Sequence, residues 1–158
     1  MAGVKYKKTI RLSKSCLNQA EKKAVIEVLN HEYLGMGEEV LEFEKALGDF
    51  FGIPVVCVVN GTAALHLSLQ ACEIGEGDEV IVPSLTWVSD IASVIQNNFK
   101  PVFVDINPKN LCMSENEIYK KVNKKTVAVF LSHIQGFNGL SSKLLNFLKK
   151  KKIMLIED

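Results

Sequence analysis

Five short apolar runs constrain the fold of this chain more than any other feature of its sequence. They start 25, 22, 25 and 26 residues apart and are rich in β-branched residues. Continuous apolar runs of this length are typical of strands that are covered on both faces of a sheet. A strand–helix repeat of about 25 residues fits a βαβ unit, so the sequence predicts an α/β fold with a mainly parallel sheet. The predicted strands are Val55–Val59, Val80–Val82, Val102–Val104, Val127–Leu131 and Ile153–Ile156.

Apolar residues with helical spacing occur both before and between these runs. Two helices are predicted ahead of the first strand, one at residues 18–30 with Asn18 as its cap and one at residues 38–51. Three further stripes predict helices between strands: Ala63, Leu67 and Ala71; Ile91, Val94 and Ile95; Leu144, Leu145 and Leu148. We expect one domain, with a leading helical segment at residues 1–52 and a sheet core at residues 53–158.

The composition excludes several classes of protein. Apolar residues make up 47% of the 158 residues and the net charge is +1, which argues against disorder and against charge-driven nucleic-acid binding. No apolar run approaches the roughly 20 residues that span a bilayer, and no signal-peptide pattern is present. We therefore expect a cytoplasmic protein that binds no membrane. The four cysteines form no C-x-x-C pair, which indicates neither disulfides nor a metal site.

The hexapeptide Asn60–Leu65 joins the first predicted strand to the helix that follows. The backbone N–H groups of Thr62 and Ala63 should be unpaired at this helix start, where the helix dipole also favours an anion such as phosphate. Gly61 allows close backbone approach, and the Thr62 hydroxyl adds a donor. An ordinary strand–helix turn with a threonine cap explains these residues equally well. The sequence contains no G-x-G-x-x-G or Walker motif, which argues against Rossmann and P-loop nucleotide sites.

Chemically distinctive residues also follow the other predicted strands. Trp87, the single tryptophan, could stack on a flat ring, although tryptophan is more often core filler. Asp105 is most simply a turn or cap residue, and His133 a turn residue with satisfied hydrogen bonds. Glu157 and Asp158 follow the last apolar run, and parallel α/β sheets bind ligands at the carboxyl ends of their strands.

Taken together, these strand ends resemble those of the DegT family of nucleotide-sugar aminotransferases, which use pyridoxal phosphate on the fold-type I scaffold. Each stretch alone is weak evidence for the family, but the set covers the whole chain in the family's order. The matching stretches are Leu34-Gly35-x-Gly37, Asn60-Gly61-Thr62-Ala63-Ala64-Leu65-His66, Pro83-Ser84-Leu85-Thr86-Trp87-Val88, Pro101-Val102-Phe103-Val104-Asp105, His133-x-x-Gly136 and Ile156-Glu157-Asp158.

The resemblance implies a role for several of these residues. In the family, the backbone and hydroxyl around Gly61, Thr62 and Ala63 hold the cofactor phosphate, the aromatic at Trp87 stacks on the pyridine ring, and the acid at Asp158 pairs with the ring nitrogen. A carboxylate there keeps the nitrogen protonated, so the ring can accept the electrons left when a Cα proton departs. No role follows for His133. The implied reaction moves an amino group, usually from glutamate, to a nucleotide-linked keto sugar in amino-sugar biosynthesis, in a homodimeric enzyme.

The resemblance also implies what lies beyond the matched stretches. Family members run to well over twice this length, and they place the Schiff-base lysine and a small C-terminal domain after the equivalent of Asp158. None of the 18 lysines occupies that position, so we expect the 158-residue chain alone to be inactive. One alternative is a non-catalytic truncated or split-enzyme module that needs a partner. A second, within the family, is a sugar dehydratase that uses pyridoxal or pyridoxamine phosphate and has histidine in place of the lysine.

Overall fold

The computed structural model describes residues 13–72 and 75–158. Strands and helices alternate from residue 79 onward, as the spacing of the apolar runs predicts. No helix within the described ranges has both the length and the apolar character needed to cross a membrane. The elements are α1 (Gln19–Asn30), α2 (Glu38–Phe51), α3 (Gly61–Ala71), β1 (Glu79–Pro83), α4 (Val88–Gln96), β2 (Lys100–Val104), α5 (Glu115–Lys121), β3 (Thr126–Leu131), a 3₁₀ turn (Ile134–Gly136), α6 (Ser142–Lys151) and β4 (Met154–Glu157).

The four strands form one parallel sheet in the order β2–β1–β3–β4. β1 and β3 are neighbours although β2 lies between them in the chain, so the connection from β2 crosses over β1 to reach β3. In the register of the sheet, Val80 of β1 lies opposite both Pro101 and Ala128. The predicted α/β class with a parallel sheet is confirmed, and so are four of the five predicted strands.

Side chains of β1 and β3 alternate between two core clusters, which lie on opposite faces of the sheet. One cluster joins the strands to α5 and α6, and the other joins them to α3 and α4. The first includes Ile81, Val129, Leu131, Ile118, Leu144 and Leu148; the second includes Val80, Val82, Phe130, Leu69 and Val94. Burial of one such side chain stabilises the fold by about 1.5–3 kcal/mol. The two clusters fix β1 and β3 in place, and with them the loops at their carboxyl ends.

The predicted strand at Val55–Val59 is wrong, because the structure assigns no strand there. Val56 and Val59 are 76% and 87% exposed. A strand needs a hydrogen-bonded neighbour, and in the described part of the chain the four strands of the sheet pair only with one another. The apolar run therefore has the composition of a covered strand, but no neighbouring strand pairs with it in the described part of the chain.

Contacts within the chain divide it into two units, with the division between Cys57 and Val58. In the first unit both predicted helices are confirmed. Asn18 caps α1 by accepting a hydrogen bond from the N–H of Ala20 at 2.7 Å, and Glu21 accepts one from the N–H of Asn18 at 2.8 Å. α2 ends at Phe51 and is capped by Gly52, whose φ of 70° favours glycine. The second unit, Val58–Asp158, contains the sheet and every residue of the candidate site.

Candidate functional site

Two cavities lie at the carboxyl ends of β1, β3 and β4, within the second unit. One has a volume of about 380 Å³ and the other about 320 Å³, and both are lined by Trp87 and Asp158. Gly61 and Thr62 line the smaller cavity, and His133 lines the larger one. The structure therefore brings together four of the five residues that the sequence predicts for a site. The fifth, Ala63, lines neither cavity.

The start of α3 forms one wall of the smaller cavity. The helix is capped by Asn60, whose Oδ1 accepts a hydrogen bond from the N–H of Ala63 at 2.9 Å. The expectation that the Ala63 N–H is unpaired is therefore wrong, because the asparagine side chain takes the donor that an anion would otherwise use. The N–H of Thr62 has no partner among the described residues, and Gly61 has open space beside its Cα. Among the described residues, the backbone N–H groups of Gly61 and Thr62 therefore remain available to a ligand at this helix start.

The hydroxyl of Thr62 is hydrogen-bonded to the hydroxyl of Ser89. Its Oγ1 lies 2.8 Å from Oγ of Ser89, in the first turn of α4. Two hydroxyl groups from different helices thus meet at the wall of the smaller cavity, which both residues line. Hydroxyl groups rotate freely, so either can turn its hydrogen toward an anion without loss of packing.

Trp87 lies immediately ahead of α4 and after the end of β1. Its side chain is 74% exposed, so the interpretation of this residue as core filler is wrong. It makes no side-chain hydrogen bond at the start of α4. An indole with this much free surface beside a cavity offers a face on which a planar ring can stack.

Asp158 is held at the end of the sheet by its backbone. Its N–H donates to the carbonyl oxygen of Leu131 at 2.9 Å, and its own carbonyl accepts from the N–H of His133 at 2.7 Å. These bonds continue the β3–β4 ladder and place the Asp158 carboxyl beside both cavities. Burial and then the negative charge of Asp90 raise the pKa of Asp158 above its usual value, and the nearby His133 opposes that shift.

Asp90 is a functional candidate that the sequence analysis missed. It is fully buried in the first turn of α4 and lines the smaller cavity with Asp158. Its Oδ2 accepts a hydrogen bond from Oγ of Ser132 at 2.6 Å and another from Oγ1 of Thr86. Its Oδ1 has no partner within the described ranges. The signal in the sequence was a lone acid in an otherwise uncharged helix, three residues after Trp87.

His133 and Asp105 have mainly structural surroundings. The N–H of Gly139 donates to Nδ1 of His133 at 3.2 Å, so Nε2 carries the proton that it donates to Glu157 Oε2 at 2.8 Å. Both ring nitrogens are thus occupied in holding the loop after β3 to the end of β4. Asp105 accepts from the N–H of Ile106 at 2.7 Å and is a turn residue, as the simpler interpretation predicted.

A cavity outside this site lies beside the loops that follow β2 and the 3₁₀ turn. It has a volume of about 550 Å³, and its lining includes Asn107, Asn110, Ser114 and Asn138. None of the residues predicted for the site lies there. Across residues 13–72 and 75–158, no cluster of three or more His, Cys, Asp or Glu side chains could hold a metal ion.

The sequence model of the DegT/DnrJ/EryC1/StrS aminotransferase family matches residues 15–158 of the chain. A similar protein of Saccharopolyspora spinosa, dTDP-4-dehydro-2,3,6-trideoxy-D-glucose 4-aminotransferase, is 32% identical over 152 residues. That match covers 94% of this chain and 40% of the relative. The chain therefore spans about 40% of the length of the relative it matches.

Solved structures of whole enzymes contain the same fold. The aminotransferase TlmJ from Streptoalloteichus hindustanus superposes with a TM-score of 0.88 and 29% identity, over 95% of this chain and 42% of that one. A GDP-4-keto-6-deoxymannose-3-dehydratase with a trapped PLP-glutamate geminal diamine superposes with a TM-score of 0.87 and 27% identity, over 94% of this chain and 40% of that one.

Proposed function

The chain belongs to the DegT/DnrJ/EryC1/StrS aminotransferase family, and from that membership we propose that it forms the cofactor-binding part of a pyridoxal-phosphate-dependent transaminase. The substrate that we propose for the whole protein is a nucleotide-linked keto sugar. The observation that carries the proposal is the convergence of Thr62, Trp87 and Asp158 on two cavities that share Trp87 and Asp158. These residues come from three separate segments of the chain, and only the fold brings them together.

The phosphate end of the cofactor fits the start of α3. The unpaired N–H of Thr62, the positive end of the helix dipole and the hydroxyls of Thr62 and Ser89 all suit an anion. The open space beside Gly61 allows a phosphate to approach the backbone. We assign the phosphate to this end on that basis, with Ala63 contributing its position in the first turn and not a free N–H.

The ring end of the cofactor fits Trp87 and Asp158. Trp87 would cover one face of the ring, and the Asp158 carboxylate would hold a proton on the ring nitrogen. When bound, pyridoxal phosphate supplies a ring that accepts the electrons released at a substrate carbon. A carboxylate whose pKa is raised by burial and by Asp90 is a stronger proton acceptor, which suits the partner of a protonated ring nitrogen.

The amino donor and the cellular setting are proposed for the whole protein. Glutamate is the donor that the family resemblance implies, and the similar dehydratase was trapped with a PLP-glutamate adduct. The product would feed a polysaccharide or another glycosylated compound. We propose, by the same resemblance, that the whole enzyme is a homodimer, and, from the sequence, that it acts in the cytoplasm.

Dehydration of the keto sugar is an alternative within the family, because a dehydratase superposes with a TM-score of 0.87, close to the 0.88 of the aminotransferase TlmJ. A module that binds the cofactor only together with a partner chain is the other alternative. By the family resemblance, the residue at the Schiff-base position decides between transamination, which uses a lysine there, and dehydration, which uses a histidine.

The experiment begins with translation of the DNA beyond codon 158. A stop codon there would favour the module, and a continuing reading frame allows the 158-residue chain to be compared with the longer protein. Each is incubated with pyridoxal phosphate, glutamate and a panel of nucleotide-linked keto sugars. We expect an amino sugar from the longer protein and none from the 158-residue chain. If the product is a deoxy sugar without an amino group, the reaction is dehydration and not transamination. Amino-sugar formation by the 158-residue chain itself would show that one of its own lysines serves, which contradicts the proposal.

A further inference from the structure

Asp90 is a fully buried acid of the sheet unit, and hydrogen bonds from two other segments hold it. A carboxylate without contact to water is costly unless hydrogen bonds compensate it. Here two hydroxyls donate to one oxygen: Thr86 follows β1, Ser132 follows β3, and Asp90 itself belongs to α4. The two hydroxyl oxygens also lie 2.8 Å apart. Three elements of the fold therefore meet at a single carboxylate oxygen.

This arrangement fixes both the place and the orientation of the carboxylate. β1 and β3 are adjacent strands packed on both faces, so the hydroxyls that follow them have little freedom to move. A structural cap for α4 would not need two side chains from neighbouring strand ends. The second oxygen, Oδ1, is buried without a partner in the described part of the chain, which a purely structural acid would avoid.

The carboxylates of Asp90 and Asp158 belong to the same site. The two acids line the same cavity, and the charge of Asp90 raises the pKa of Asp158, second only to burial as a cause. The other titratable group that acts on Asp158 is His133, which lowers that pKa and is itself bonded to Glu157 at 2.8 Å. Like charges that are held close together in a site of low dielectric favour a bound cation or proton between them.

We propose that Asp90 is a positioning residue that, together with Asp158, provides the negative charge that keeps the cofactor ring nitrogen protonated. The inference rests on the proposed function of the site. Asp158 would bond directly to the ring nitrogen, and the negative charge of Asp90 would strengthen that bond. The hydrogen bonds from Thr86 and Ser132 hold the Asp90 carboxylate in the site, where its charge acts on Asp158.

The first test needs no cofactor. The carboxyl carbon of Asp158 is followed by ¹³C NMR during a pH titration of the 158-residue chain. Asp90→Asn removes the charge and keeps the size, so its titration midpoint for Asp158 should fall below that of the wild type. Asp105→Asn is the matched control, because Asp105 also follows a strand but lines neither cavity. The terminal carboxylate is present in every variant and cancels in the comparison. An unchanged Asp158 midpoint in Asp90→Asn would overturn the proposal.

The second test measures affinity for pyridoxamine phosphate in a double-mutant cycle. We expect Asp90→Asn to weaken binding by about 3- to 10-fold when Asp158 is present, and by less than about twofold in an Asp158→Asn background. Equal losses in both backgrounds would mean that Asp90 acts only through the fold, which would overturn the proposal. If the wild type binds no pyridoxamine phosphate, the proposed function fails, and the titration alone then decides whether Asp90 acts on Asp158.

A second variant protects both tests against misfolding. Asp90→Thr is close in volume and keeps a hydroxyl that can bond to Thr86 and Ser132. Circular dichroism and urea unfolding identify which variants are folded. If Asp90→Asn unfolds, Asp90→Thr must lower the Asp158 midpoint in its place, and a folded Asp90→Thr with a wild-type midpoint refutes the inference.

Discussion

Replacement of Trp87 by alanine separates cofactor binding from stability. The side chain is 74% exposed and makes no capping hydrogen bond to α4. Little packing is lost when it is removed, so the free energy of unfolding should change by less than about 0.5 kcal/mol. An exposed indole that contributes this little to the fold can be deleted without confusing a loss of binding with a loss of structure.

The effect on binding follows from the ring that Trp87 would cover. Stacking of an aromatic side chain on a planar heterocycle is worth about 1–3 kcal/mol. At about 1.4 kcal/mol for each factor of ten, Trp87→Ala should raise the dissociation constant of the cofactor about 5- to 150-fold. Trp87→Phe keeps an aromatic face, so its dissociation constant should lie between those of the wild type and Trp87→Ala.

The assay uses pyridoxamine phosphate, because its amine cannot form Schiff bases with the 18 lysines of the chain. Equilibrium dialysis gives the dissociation constant, and urea unfolding gives the stability of each variant. Val88→Ala is the matched control, since Val88 is the exposed apolar neighbour of Trp87 and lines neither cavity. Pyridoxamine without phosphate measures what the start of α3 contributes.

The reasoning is refuted if Trp87→Ala is folded and binds pyridoxamine phosphate within about twofold of the wild type. It is also refuted if Val88→Ala weakens binding as strongly as Trp87→Ala does. A loss of more than about 1 kcal/mol of unfolding free energy in Trp87→Ala would show that the indole supports the fold after all.

Three further changes test other parts of the account. In the longer protein, Asp158→Asn should slow the amino-transfer half-reaction in single-turnover experiments far more than it weakens binding of pyridoxamine phosphate, and a rate within a few fold of wild type would contradict this. Hydrogen bonds from Asn123 and Lys100 lower the pKa of Glu79 below its usual 4.5. The charged carboxylate therefore stabilises the fold above pH 4.5, and this stabilisation is lost as the pH falls through the lowered pKa. Glu79→Gln should therefore cost about 1–3 kcal/mol in urea unfolding at neutral pH and much less at acid pH, and an equal cost at both would be inconsistent with the charge as its cause. Asn60→Ala removes the α3 cap and should lower the free energy of unfolding, measured in urea, by about 1 kcal/mol. Asn60→Asp keeps a capping oxygen, so its free energy of unfolding should stay close to that of the wild type.

The sequence predicts the local parts of this fold well and its long-range pairing less well. Residues 38–51 form the predicted helix from end to end because glycine precedes and follows it and acids occupy its first turn. The apolar run at residues 55–59 has the same composition as the true strands, but a strand also depends on neighbours far away in the chain. The helix α5 was not predicted, because it spans only seven residues and one of them, Ile118, is buried.

The same difference applies to the candidate site. The resemblance to the DegT family predicts the roles of Trp87 and Asp158, and both residues follow strands whose carboxyl ends meet at one edge of the parallel sheet. The pairing of Ala63 with Asn60 was missed, although both residues lie within one hexapeptide, because the sequence does not say which side chain caps a helix. Asp90 was missed because its partner Ser132 lies 42 residues away, and the sheet order that joins them is not visible in the local pattern.

A crystal structure of the chain with pyridoxamine phosphate tests the central claim most directly. The account predicts the phosphate within hydrogen-bonding distance of the Thr62 N–H, the ring against the face of Trp87, and the ring nitrogen within hydrogen-bonding distance of Asp158. Binding of the ring elsewhere, for example in the cavity of about 550 Å³ near Asn107, would contradict the assignment of this site.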